Sequence, residues 1–508
     1  MRTVPWTVWL LLAVPFLGLG SAPLFDLDEG AFTAATTEMF LRGDFWSTYL
    51  LGEPRTDKPI LIYWLQAASI WALGPSEWAF RLPSALAGSA WIALTFLFVQ
   101  RVADPGRALL AALIIATAAG VSVILRAATA DALLNLWLAA SAYAAWLWLA
   151  EGHARWRYLG FAAMALGFLT KGPVAVVVPA AAVFLWCVSR GEWRRFFRWG
   201  LSPGPIALFL LIAAPWFVVQ YLREGATFFE GFFLKHNLSR YDTAMEGHRG
   251  QYFYYLWVVP LSLLPHTGWL LAAFTRARQV WDDPLQRFGL LWFVFVLVFF
   301  SFSGTKLPHY VYYGYGGLVL VLVGQTHLGR FLTFIPALLW FALLAALPWL
   351  LNAAIPNLRP DDRLLAMDFG AQLGGGFVAV FAVLFLANLY GLLRGHTGQR
   401  VIYWQGVTAA LAFAWVLLPA VGVLLQDPIR HAGRVVAEMR APLVLYGVNT
   451  PSFQTYAGRA VARRAPLPGD IALTRESRIA ELLGGEVIFR ERGYALVQMP
   501  LSPHHFPK

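Results

Sequence analysis

The chain has 508 residues, 59% apolar and only 13% charged, with a formal net charge of +11 and a mean hydropathy of +0.59. Soluble proteins are about 45–50% apolar and about 25% charged, so this composition excludes a water-soluble enzyme or a disordered chain and calls for a lipid solvent. A single cysteine, Cys187, excludes an intrachain disulfide, and the basic residues lie scattered in short hydrophilic breaks, which argues against nucleic acid as a partner.

A span needs about 20 mostly apolar residues. The first such segment, 6–22, follows a short basic start and reads as an uncleaved span rather than a signal peptide. Further apolar segments lie at 81–100, 108–125, 132–150, 158–170, 173–188, 204–222, 251–273, 288–303, 310–324, 331–351, 373–393 and 401–425. The expected fold class is a polytopic α-helical membrane protein with about 13 transmembrane helices.

Alternate breaks between these segments carry the arginines: Arg101 and Arg107, Arg155 and Arg157, Arg190 to Arg198, Arg276 to Arg287, Arg330, and Arg394 and Arg400. Few acids accompany them, and this asymmetry places those breaks and the N-terminus on the cytoplasmic side and the C-terminus outside. The outer breaks differ in kind. Residues 23–80 form a long loop in which Glu29–Leu41 and Ile60–Leu73 read as amphipathic helices lying in the interface. Residues 426–508 are no longer continuously apolar. Strands are expected at 443–446, 472–474, 487–489 and 494–497 and helices at 431–440 and 475–483, a small α/β domain outside the membrane. The division is therefore 1–425 for the membrane part and 426–508 for the external domain.

Four polar clusters fall on the outer side. Asp26-Leu27-Asp28-Glu29 follows the first span; acids so near a bilayer are costly and point to function, while Asp28 as a helix cap is the plainer alternative. Arg55-Thr56-Asp57-Lys58-Pro59 opens the second interfacial helix, where a lysine beside a helix start suits a phosphate, or else a solvated ion pair. Arg126-Ala-Ala-Thr129-Ala-Asp131 brings a second acid to the surface, again with capping as the alternative. Lys235 to Tyr241 contains His236, of interest through pairing with Asp57. Lys171 and Lys306 lie in outer turns as well, and are either snorkelling side chains or, with Lys58, Arg126 and Arg240, an anion site at the lipid surface. A polyprenyl phosphate matches such a site, with its charged head at the interface and its apolar tail in the bilayer.

Taken in order, Asp28-Glu29-Gly-Ala-Phe, Arg42-Gly-Asp44-Phe-Trp, Asp57-Lys58-Pro59-Ile-Leu-Ile-Tyr63-Trp64, Phe80-Arg81-Leu-Pro83-Ser84, Leu169-Thr-Lys171-Gly-Pro173, His236-Asn237-Leu-Ser-Arg240 and Ser303-Gly-Thr-Lys306-Leu-Pro-His-Tyr310 form a familiar series. Over residues 20–425 the chain resembles the bacterial membrane glycosyltransferases of GT-C fold in the protein-O-mannosyltransferase superfamily, nearest the aminoarabinose lipid A transferases (the ArnT-like branch). The resemblance implies transfer of a sugar from a polyprenyl-phosphate carrier, on the periplasmic face of the inner membrane, to a lipid A, lipopolysaccharide or other envelope glycan acceptor. It implies Asp28 and Asp131 as the catalytic acids, and Lys58, Arg240 and Tyr310 as carrier-phosphate ligands. Asp57 and His236 match positions that hold a divalent metal, zinc or similar, although the branch has Glu where this chain has Asp57. Arg55 adds a cation two residues before that acid. The chemistry agrees: a phosphate leaving group gains charge at the transition state and needs cations, and the acceptor needs a base. Direct displacement would invert the sugar carbon. The alternatives are a protein O-mannosyltransferase-like enzyme and, from another class, a secondary transporter, whose ionisable groups would sit near the bilayer midplane.

Overall fold

The structure, a computed structural model, describes residues 5–232, 252–325, 328–367 and 373–501. Every expected apolar segment is helical. Among the described residues, seven helices are long and apolar enough to cross a membrane, by length and composition, and an eighth span results if the pair Tyr254–Ser262 and Thr267–Thr275, bent by 118°, counts as one. The other segments, expected as spans, are shorter or broken, namely Trp6–Phe16, Pro105–Thr117 followed by Ala119–Ile124, Val174–Ser189, and Pro308–Gly314 followed by Tyr315–Leu322, or, in the 18-residue Ala154–Lys171, carry Arg155, Arg157 and Lys171. Local chemistry sets the helix starts. The Ser76 hydroxyl accepts from the Ala79 N–H at 3.2 Å, and the carboxylates of Asp104 and Asp283 each accept from the third residue on at 2.9 Å, with Pro105 and Pro284 in the first turn. Gly152, in the left-handed region, ends Asp131–Glu151.

Small residues let helices approach closely. Pro284–Phe302 packs on Tyr315–Leu322 through Gly289, Gly316 and Gly317; a Cβ on Gly317 would stand 3.0 Å from the Trp292 Cβ, and one on Gly289 would strike the Gly317 carbonyl.

The first outer loop holds helices Asp28–Arg42 and Leu61–Leu73 on either side of a short hairpin, β1 (Tyr49–Leu50) and β2 (Glu53–Pro54), close to the two interfacial helices expected. The C-terminal part is a five-stranded sheet of order β4-β3-β5-β7-β6, with β3 (Leu443–Leu445), β4 (Val461–Arg463), β5 (Ile471–Arg475), β6 (Glu486–Glu491) and β7 (Tyr494–Gln498). β3 pairs parallel to β4 and β5; β7 is antiparallel to β5 and β6. β4 and helix Ser452–Ala457 were not expected, being a three-residue strand and a six-residue helix with little periodicity to read. The helix expected at 431–440 is instead the end of one helix, Gln399–Val436, that runs from the membrane part through residue 425. Its Ile429, Ala432 and Val436 join Leu445, Phe453, Ile471 and Leu496 in the core of the sheet domain.

That domain is fastened to the first outer loop. The Ser452 N–H and hydroxyl donate to Asp26 at 2.9 and 2.5 Å, Thr455 donates to Thr33 at 3.1 Å, and the Gln454 amide donates to the Ala34 carbonyl and to Glu38, both at 3.2 Å.

Candidate functional site

Three acids of one string are separated by what they meet. Asp26 turns to Ser452 of the sheet domain. Glu29 is buried and takes Arg81 in a bidentate pair at 2.8 Å for each bond, while also accepting from the N–H groups of Phe25 and Ala128. Arg81 in turn donates to the carbonyls of Leu19, Ala22 and Pro23. This hub draws the end of the first span, the start of helix Asp28–Arg42 and the turn before Asp131 together. Asp28 is left exposed at the helix start, and its carboxylate has no hydrogen-bond or ion-pair partner among the described residues. The capping alternative does not hold, because the N-cap position is Leu27 and no side chain caps it.

Asp131 is the first residue of its own helix and is held from three sides. Lys171 Nζ lies 2.6 Å and Tyr313 OH 2.9 Å from Oδ1, and Thr129 donates to Oδ2 at 3.1 Å. His309 stands at 3.8 Å.

Asp57 is clamped by cations. Arg55 Nε and Nη2 donate to its two oxygens at 2.6 and 3.3 Å, Lys58 Nζ donates at 3.0 Å, and Arg55 also donates to the Ala31 carbonyl. Burial alone would raise the Asp57 carboxyl, but Arg55 and Lys58 hold it well below the usual carboxylate range. The Arg55 guanidinium lies 5.0 Å from the Phe32 ring centre.

These groups line two adjoining cavities. One, of about 340 Å³, is walled by Asp28, Arg55, Asp57, Lys58, Asp131, Lys171, His309 and Tyr310, with Asn449, Pro451 and Arg463 from the sheet domain. The other, of about 510 Å³, is mostly apolar, with Val123, Ile124, Phe413, Leu417 and Val421 among its walls. Asp28, Thr129, Asp131 and His309 belong to both.

Of the site residues expected from sequence, Asp28, Asp131, Lys58, Tyr310, Lys171, Arg55 and Asp57 therefore meet in one cavity. Arg126 and Lys306 do not. Arg126 borders the apolar cavity, with its guanidinium bound to the carbonyls of Val14, Leu17 and Ser122, so it ties helices together instead of facing a phosphate. Lys306 donates to the Ser303 carbonyl at 2.8 Å, with its ammonium over the Tyr252 ring, and lines neither cavity. His236 and Arg240 lie outside the described residues.

The metal expected at Asp57 and His236 meets a poor donor set on the described side. Both Asp57 oxygens already face cations, and a further cation there would be repelled by Arg55 and Lys58. Among the described residues, no group of three or more His, Cys, Asp or Glu could hold a metal. Residues not singled out from sequence include His309, Tyr313, Arg81 and Asn449. The first three stand inside or beside the quoted strings, and a search for polar partners of each acid would have flagged them; Asn449 carries no local signal.

The cluster sits at one end of the bundle. Helix Asp131–Glu151 has 21 residues, roughly 31 Å at about 1.5 Å per residue. At its far end Glu151 pairs with Arg101 at 2.7 Å, and Arg195 donates to the Leu149 carbonyl. An ionisable cluster at one helix end rather than in the middle speaks against the transporter alternative.

Residues 57–219 match the model of the dolichyl-phosphate-mannose-protein mannosyltransferase family. An uncharacterized protein of Aquifex aeolicus is 30% identical over 307 residues, 59% of this chain and 67% of that one. The undecaprenyl phosphate-alpha-4-amino-4-deoxy-L-arabinose arabinosyl transferase of Pseudomonas paraeruginosa is 28% identical over 389 residues, 74% of this chain and 65% of that one. A transferase of the same name from Sodalis glossinidius is 32% identical over 318 residues, 60% and 56% of the two chains. The matches thus span between 54% and 67% of the curated relatives' length. Among solved structures, ArnT from Cupriavidus metallidurans bound to undecaprenyl phosphate superposes with a TM-score of 0.79 at 21% identity, over 97% of both chains. That likeness establishes the GT-C fold, including the sheet domain.

Proposed function

We propose that the chain is an ArnT-like GT-C membrane glycosyltransferase, which transfers a sugar from a polyprenyl-phosphate carrier to an acceptor hydroxyl or phosphate; the family match, the relatives and the shared fold support this reading. The acceptor is lipid A, lipopolysaccharide or another envelope glycan. The reaction takes place on the periplasmic face of the inner membrane. The N-terminus is cytoplasmic, residues 1–425 form the catalytic membrane part, and residues 426–508 form a periplasmic domain.

The observation that carries this reading is the contrast between the two acids. Asp131 is tied to Lys171, Tyr313 and Thr129, whereas Asp28 faces both cavities with its carboxylate unengaged. A base needs a lone pair turned toward the acceptor proton. Asp28 has one, and Asp131 orients its neighbours. The carrier phosphate binds in the cationic cavity against Lys58, Arg55 and Lys171, beside Tyr310. The apolar cavity takes lipid hydrocarbon. The acceptor oxygen attacks the anomeric carbon, its proton passes to Asp28, and the bond from that carbon to the phosphate oxygen breaks. The electron pair stays on the carrier phosphate, where the cations stabilise the added charge. Attack from the face opposite the phosphate inverts the centre. Arg55 supplies the charge beside Asp57.

The test uses Asp28→Asn in purified protein with a labelled polyprenyl-phosphate sugar. Loss of general base action is expected to lower kcat by about 10²–10⁴ with an unchanged melting temperature. Full transfer by this variant would remove the assignment. Mass spectrometry of envelope lipids with and without the gene identifies the acceptor.

A further inference from the structure

Next to the reaction cavity lies a third chamber, of about 330 Å³, formed where helix Pro360–Met367 meets the sheet domain. Its walls are polar and include three arginines, Arg359, Arg475 and Arg478. Its two acids are committed to the protein. Asp361 accepts from the Ser477 N–H at 3.1 Å and hydroxyl at 2.6 Å, and Asp362 pairs with Arg475 at 3.3 Å. The cations are less occupied. Arg359 has no side-chain partner among the described residues, and Arg478 reaches Glu481 only at 3.9 Å. Two buried polar atoms on the walls also lack partners, Arg475 Nη1 and the hydroxyl of Thr450, a residue 5% exposed. A buried donor left unmade is costly, so a chamber with two such donors suits a ligand that accepts. Asn449 borders both this chamber and the reaction cavity, so the two lie side by side.

We propose that this chamber binds an anionic group, a phosphate or carboxylate, borne on the acceptor at a position other than the one that receives the sugar. The inference rests on the transfer reading above. Arg359 and Arg478 supply the charge, Arg475 Nη1 and the Thr450 hydroxyl donate to the anion oxygens, and Asn449 marks the passage toward Asp28. The site is a specificity subsite: it holds the acceptor in register and takes no part in bond breaking.

The experiment has two arms on the full-length protein. In the first, binding of glucose 1-phosphate is followed by 31P relaxation, in a Lys58→Met background that weakens the reaction cavity's own hold on phosphate. Adding Arg359→Ser and Arg478→Ser, two exposed positions, is expected to weaken binding at least tenfold, and Thr450→Val to weaken it several-fold. Unchanged binding in both overturns the proposal. Inorganic phosphate is run in parallel. Equal binding of both probes with no effect in the second arm assigns the site to free phosphate and overturns the acceptor role. In the second arm, with Lys58 intact, transfer is measured to a glycolipid acceptor with and without a second phosphate. The Arg359→Ser/Arg478→Ser variant is expected to raise KM about tenfold for the doubly phosphorylated acceptor, with kcat retained and no change for the other. An equal change for both acceptors would indicate a packing defect and overturn the proposal. Because the first arm needs no transfer, it fails or holds independently of the Asp28→Asn result.

Discussion

Asp26, Asp28 and Glu29 fall within four consecutive positions and meet three different surroundings: one fastens the sheet domain, one lines the cavities, one anchors Arg81. The buried pairs set the most direct expectations. Lys171→Met leaves Asp131 buried beside His309 without its ammonium, which should cost about 3–5 kcal/mol. Replacing both partners, as Asp131→Asn with Lys171→Met, should recover much of that loss; thermal unfolding in detergent checks it, and a double variant no more stable than the single one would contradict the pairing. At Asp57 the sign is equally definite. Its folded-state pKa lies well below the ordinary 3.8, so the stabilisation it gives is complete above that value and is lost only as pH falls through the depressed one. Asp57→Asn should therefore lower the melting temperature by equal amounts at pH 5 and pH 8. Zinc content should be far below one per chain and insensitive to His236→Ala; stoichiometric zinc lost in that variant would restore the metal. The acids and cations that line the cavity were legible in the sequence because few charges occur near apolar segments. The sequence could not say which acid of the first string faces the cavity, since that is decided by Arg81, 52 residues on, and Ser452, 426 residues on. Arg126 misled for the same reason: its partners are carbonyls, which leave no mark in a sequence.

At the scale of elements, hydropathy located the long apolar helices but not where helices break. Residues 108–125 are apolar throughout, yet the chain leaves the helix at Ala118, and the Ala119 N–H bonds the Leu264 carbonyl at 2.9 Å. The break sets Gly120, Val123 and Ile124 on the wall of the apolar cavity. In the same way a π-turn at Phe413–Leu417, inside helix Gln399–Val436, puts Phe413 and Leu417 on that wall. Neither irregularity has a proline or glycine at its centre, so each reflects packing against distant partners. Where helices touch, the absence of side chains matters. Gly289→Ala would drive a methyl group into the Gly317 carbonyl and should cost about 1–3 kcal/mol, read as a lower melting temperature; an unchanged value would mean that the helices can slide apart freely.

For the molecule as a whole, the sheet domain and the membrane part share the work of placing Asp28. Asp26, Thr33, Ala34 and Glu38 of the first loop all bond to residues 452–455. A chain ending at residue 440 should still insert, yet transfer at least tenfold more slowly per inserted molecule, because the helix bearing Asp28 loses those bonds; full rate in membranes would show that the loop holds its place alone. The helix Gln399–Val436 has 38 residues, about 57 Å at about 1.5 Å per residue, and contributes to the hydrophobic cores at both of its ends. A rod common to two cores cannot unravel at one end without loosening the other. Calorimetry should accordingly record one endotherm, not two, and agents that melt the sheet should release the bilayer-embedded bundle in the same step.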